Sequence, residues 1–166
     1  MTAYNDNIVG DGTVISPNSP GEQVHRRRVD LAAEAAKAGV SSFSSSDTLR
    51  LLELPAGTFV VDTFVRVLEA EGATLTADFG ITGTDADGFL DGVDLNATGY
   101  TRGVYASTLG GTGAAADPVV LTGFTGGKLI TSDSAIDMLF NNSSADNAVF
   151  DLFVLFVPLY TSPAHP

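Results

Sequence analysis

The stretch "TLTADFGIT" (residues 74–82) decides the fold. Leu75, Ala77, Phe79 and Ile81 fall on one side of an extended chain, and Thr74, Thr76, Asp78 and Thr82 on the other. Strict alternation of this kind marks a half-buried β-strand. The same period runs outward in both directions. Upstream, "TLRLLEL" (48–54) meets a turn at Pro55, Ala56 and Gly57, and "TFVVDTFVRVLEA" (58–70) follows, rich in Val, Phe and Thr. Downstream, "GYTRGVYASTL" (99–109), "PVVLTGF" (118–124), "GKLIT" (127–131) and "AIDMLF" (135–140) are short β-prone runs separated by Gly, Ser, Asn and Asp. The final run, "AVFDLFVLFVPLY" (148–160), carries Val149, Phe153, Leu155 and Val157 on one side and Phe150, Leu152, Val154 and Phe156 on the other. A strand apolar on both faces belongs in the middle of a sheet, with something covering the outer side. Many short strands without βαβ alternation predict an all-β fold: a single antiparallel β-sandwich of jelly-roll type with an extended N-terminal arm.

A length of 166 residues suits one domain. Residues 1–22 mix Gly, Pro, Asn, Ser and Asp with little apolar periodicity, which suggests an arm that orders against something else. In "VHRRRVDLAAEAAKAG" (24–39) the alanine-rich part predicts a short helix within 30–38, ended by Gly39, while "VHRRRV" reads equally well as a strand edge. "VSSFSSSD" (40–47) is a polar connector. The division expected is therefore arm and helix over 1–47, sandwich over 48–160 and tail over 161–166.

Composition excludes more than it identifies. Hydrophobic residues make up 44% and charged residues 17%, a balance that folds. A net charge of -12 repels nucleic-acid backbones and anionic membranes, so neither is an expected partner. The absence of cysteine removes disulfides, thiolate zinc sites and cysteine nucleophiles. No basic start followed by an apolar core marks a signal peptide, and no apolar run reaches the roughly 18 residues of a membrane helix.

No constellation in the sequence establishes a function by itself. "TGTDADGFLDGVDLN" (82–96) concentrates Asp85, Asp87, Asp91 and Asp94, weak candidates for calcium, whose shell takes about six to eight oxygens. The EF-hand pattern fails, because Gly88 stands where the third ligand belongs and no Glu closes the loop. The plainer expectation is an Asp-Gly turn whose carboxylates bond nearby amides, with Phe89, Leu90 and Val93 anchored in the core and no cofactor bound. "HRRR" (His25, Arg26, Arg27 and Arg28) is the basic cluster of an acidic chain and suits contact with an acidic protein surface. His25 and His165 lie in the expected arm and tail, where a catalytic base would lack rigid support. Asp62 with Glu69, or Asp133 with Asp137, are carboxylate pairs that only a cleft could make catalytic. The absence of Trp and a count of four Tyr leave few stacking platforms for sugars. The expectation is a protein that is not an enzyme.

The "PAGTFV" turn between two strands, the "ADFGITGTDADGFLDGVDLN" strand and aspartate-rich stretch, and the long apolar closing strand resemble small structural proteins of tailed phages. The likeness is greatest to the sandwich proteins that decorate capsids, and it covers about half of the chain. The resemblance implies a cement protein on the outer face of the head, assembled in the host cytoplasm. It would bind the major capsid protein, commonly as a homotrimer at three-fold points. His25 to Arg28 would meet the shell, and Phe153, Leu155, Val157 and Tyr160 would pack between copies. The alternative is a tail-fibre or receptor-binding tip with a calcium-dependent glycan site at the aspartate-rich stretch.

Overall fold

A computed structural model describes residues 3–4, 23–72, 74–102, 127–142 and 144–159. Its elements in chain order are β1 (Ala3–Tyr4), β2 (Gln23–Asp30), α1 (Leu31–Ala38), β3 (Thr48–Leu54), β4 (Thr58–Glu69) and β5 (Thr76–Ile81). β6 (Asp85–Asp94), β7 (Gly99–Arg102), β8 (Lys128–Leu129), β9 (Ser134–Phe140) and β10 (Val149–Pro158) complete them. They form two facing sheets. The first runs β1-β3-β9-β5-β6 and the second β2-β10-β4-β7, with β8 also on β4. All pairings are antiparallel except the short parallel one of β1 with β3. The fold is the all-β sandwich of jelly-roll type that the alternation predicts. The chain changes sheet between β3 and β4, so the Pro55-Ala56-Gly57 turn is a crossing between layers.

The closing strand sits where its two apolar faces require. β10 lies between β2 and β4, turning Phe150, Leu152, Val154 and Phe156 into the core. From the first sheet Phe79 meets Phe150 edge-on, with centroids 5.9 Å apart and planes at 89°. That contact ties the layers together at the middle of the core.

Residues 23–38, assigned by sequence to the arm, are built into the sandwich. β2 pairs with β10 over all eight of its residues, from Gln23 opposite Phe156 to Asp30 opposite Val149. The predicted helix follows directly as α1. Asp30 caps it by accepting a bond from the Ala33 N–H at 3.1 Å, and Gly39 ends it in the left-handed conformation at φ 74°. Arg27 fastens this edge to the other layer. Its guanidinium donates to the main-chain carbonyls of Arg50 (3.4 Å) and Leu51 on β3 and pairs with Glu34 of α1 at 3.3 Å. The serine-rich connector hides a core residue, since Phe43 is buried and stacks on Phe140 with centroids 4.9 Å apart.

The aspartate-rich stretch is a strand, not the turn expected. After a tight reversal in which the Thr84 N–H donates to the Ile81 carbonyl, β6 pairs with β5 along the sheet edge. The pairing shifts register between Ala77 and Phe79 and again between Phe79 and Ile81. These irregularities put Gly88, Phe89 and Leu90 inside in succession, which erases the two-residue period from the sequence. The anchors Phe89, Leu90 and Val93 are fully buried, as expected. The expected run at 118–124, most of 99–109, most of residues 1–22, Tyr160, His165 and the tail lie outside the described residues.

Candidate functional site

The outer face of the second sheet brings together residues that the sequence reading assigned to two different contacts. Along β2 the side chains alternate strictly. His25 and Arg27 point inward, with His25 only 6% exposed, while Val24, Arg26 and Arg28 point outward. The four-residue basic cluster is therefore not one surface: Arg26 and Arg28 face outward, and His25 and Arg27 face the core. Along β10, Phe153, Leu155 and Val157 share the outward side with Asp151.

Register sets these residues in rows across the sheet. Val24, Leu155 and Asp62 form one row, Arg26, Phe153 and Phe64 the next, and Arg28, Asp151, Arg66 and Tyr100 the third. Phe153 and Phe64 stack with centroids 4.4 Å apart and planes within 8°. The Arg26 guanidinium lies 6.0 Å over the Phe153 ring, and that of Arg66 lies 5.4 Å over Tyr100. Beneath the arginines sits the buried carboxylate of Asp151, 3.0 Å from Arg26 Nη2 and 3.0 Å from Arg28 Nε. Burial alone would raise the Asp151 pKa, but the hydrogen bonds and charges of Arg28 and Arg26 outweigh it and hold the carboxyl below its ordinary value. Asp151 in turn holds the Arg28 guanidinium protonated more firmly than usual.

Among the described residues the large exposed apolar side chains are Val24, Tyr100, Leu129 and Leu159; three stand on strands of this sheet and the fourth directly after β10. Phe64, Arg66, Tyr100 and Asp151 were not singled out from sequence. Phe64 and Arg66 alternate with buried Thr63, Val65 and Val67, and that alternation is the signal that would have placed them outside.

The four aspartates proposed as calcium ligands lie on β6 of the other sheet. Asp94 accepts bonds from the Asn96 N–H (2.8 Å) and Nδ2 (2.7 Å), as an amide-capping residue does. Asp85 is pushed above its ordinary value by a hydrogen bond with Asp87, by burial and by the Asp87 charge. Asp91 is pushed up by burial and then by the charges of Asp78 and Asp87. Asp78, on β5, receives the Gly92 N–H and Asn141 Nδ2, each at 2.7 Å. Among the described residues no group of three or more His, Cys, Asp or Glu side chains converges as a metal site requires. Of the carboxylate pairs, Asp133 caps the Ala56 N–H at 3.0 Å and Asp137 stands 3.5 Å from Arg50, so each has a structural partner of its own.

Paired aromatic rings edged by arginines on the outside of a sheet have the composition of a protein-binding surface. The class defined here is a jelly-roll sandwich that carries such a face. No protein-family model matches the chain, and no curated protein matches it in sequence. Its likeness is to solved structures. A chain in the capsid of Ralstonia phage GP4 shares 16% identity with a TM-score of 0.53, over 88% of this chain and 90% of that one. A chain in the "acidic stable capsid structure" of Helicobacter pylori bacteriophage KHP30 shares 14% identity with a TM-score of 0.51, over 82% of this chain and 86% of that one. At these identities the common property is the sandwich fold.

Proposed function

We propose that the chain is a non-enzymatic virion structural protein, a decoration protein that binds the outer face of a phage head and stabilises it. The observation that carries the reading is its fold, matched over more than four fifths of its length by chains in two phage capsids. The arginine-edged aromatic face supports it, because a protein that works by adhering to a shell needs one surface built for burial. The partner is the major capsid protein, and the copies are grouped in threes on the capsid surface of particles assembled in the host cytoplasm. Arg26 and Arg28, the outward half of the basic cluster, belong to the contact surface; His25 and Arg27 belong to the sandwich. Labelling the protein in purified particles and locating it by electron microscopy tests the reading. Label spread over the head is expected, and label confined to the tail overturns it.

A further inference from the structure

Arg26, Arg28, Phe153 and Leu155 lie on one side of one sheet, so a single partner surface can meet them all. We propose that this outer face of the β2-β10-β4-β7 sheet is seated on a carboxylate-bearing surface of the capsid shell, with the aspartate-bearing sheet turned away from it. The proposal rests on the decoration reading and names the surface and the chemistry of the partner.

The arginines clustered at the centre of the face select that occupant. The chain carries 20 acidic and 8 basic residues, yet three of the basic ones, Arg26, Arg28 and Arg66, project from the middle of this face, while its exposed carboxylates, Asp30 and Glu69, stand at one end opposite Val149. Arg26 and Arg28 share one carboxylate, Asp151, whose side chain is 2% exposed while theirs are 50% and 56% exposed. What a partner meets is therefore guanidinium with hydrogen-bond capacity to spare, and each guanidinium has five N–H donors shaped for carboxylates. Between the arginines lie the Phe153 and Phe64 rings, which gain from being covered.

A second copy of the chain fits less well. Facing two such sheets centre to centre brings arginines against arginines. The aspartate-rich strand β6, where burial and the charges of Asp78 and Asp87 push the Asp91 carboxyl above its ordinary value, belongs to the opposite layer. Copies joined basic face to acidic face would stack in one direction and run on as a filament, not close into a ring. Contacts among three copies on the head must then use other surfaces.

Purified protein added to heads assembled without it provides the test, read by co-sedimentation over a salt series. Wild type is expected to bind, more weakly as salt rises. Arg66→Glu, a substitution at an exposed position on β4, is expected to weaken binding by about tenfold or more. Val24→Glu does the same by setting a carboxylate on the apolar part of the face, and melting curves confirm that both variants fold. Asp87→Lys with Asp91→Lys, on the far sheet, leaves binding unchanged. Wild-type affinity in both Arg66→Glu and Val24→Glu overturns the proposal while leaving decoration standing. Failure of wild type to bind heads overturns decoration and this proposal together. Self-association of wild type that Arg66→Glu abolishes, with head binding intact, assigns the face to a second copy and also overturns it.

Discussion

A single carboxylate shows how this sandwich closes its loops. Glu71 follows β4, is 6% exposed and accepts the main-chain N–H groups of Asp146 (3.0 Å), Asn147 (3.0 Å) and Ala148 (2.7 Å) just before β10. Hydrogen bonds to a charged acceptor are worth about 1.5–3 kcal/mol each, and amides left unmet in the interior are costly. Glu71→Ala is therefore expected to lower unfolding free energy by about 3 kcal/mol in urea titration, with Glu71→Gln losing less. A second residue makes stability respond to pH. Burial, and then the charge of Arg27, lower the folded-state pKa of His25 below 6.5. The unfolded chain therefore takes up the proton first, so stability is full above pH 6.5 and falls as pH drops below it. Between pH 7.5 and 5.5, melting temperature should fall less in His25→Gln than in wild type; an equal fall counts against the assignment. At this scale the sequence was legible wherever alternation was clean. Phe89, Leu90 and Val93 were read correctly as anchors, whereas Phe43 was lost among serines, because a single core residue in a connector has no period to reveal it.

Elements were legible in proportion to their regularity. β5 and β10 were plain because each keeps one period and, for β10, two apolar faces demand a central place in the sheet. β2 was left open because its outward arginines and inward histidine look polar on both sides. Only the pairing with β10, and the seating of Arg27 on β3 and α1, explain why a charged segment is built into the body. β6 was read as a turn because its shifts of register remove the period, and the density of Asp and Gly imitates a loop. Its neighbour carries the clearest steric constraint in that sheet. A Cβ at Gly80 would stand 2.2 Å from the Asp85 carbonyl oxygen and 2.4 Å from the Ala86 carbonyl carbon, both main chain. Gly80→Ala must push β6 off the edge and should cost about 3 kcal/mol, read by chemical denaturation. A loss under about 0.5 kcal/mol would mean that the edge strand is free to move.

At the scale of the molecule, the sheet to which each strand belongs decides what the surface is. The sequence separated a basic cluster for the shell from an apolar strand for neighbouring copies, since residues 25–28 and 153–157 are far apart in the chain. Antiparallel pairing of β2 with β10 merges them, opposing Arg26 to Phe153 and Arg28 to Asp151. Long-range register of this kind cannot be read from periodicity, and with it went the recognition of Phe64, Arg66 and Tyr100 as parts of the same face. The result is a molecule whose second sheet turns stacked aromatic rings and arginines outward and whose first sheet carries the aspartate-rich strand β6. The most direct test is a reconstruction of the intact particle by electron cryomicroscopy at a resolution that shows side chains. The account predicts copies of this sandwich on the outside of the head, with β2, β10 and β4 turned toward the shell and Phe153 and Arg66 covered. Copies confined to the tail, or none on the head, would contradict it.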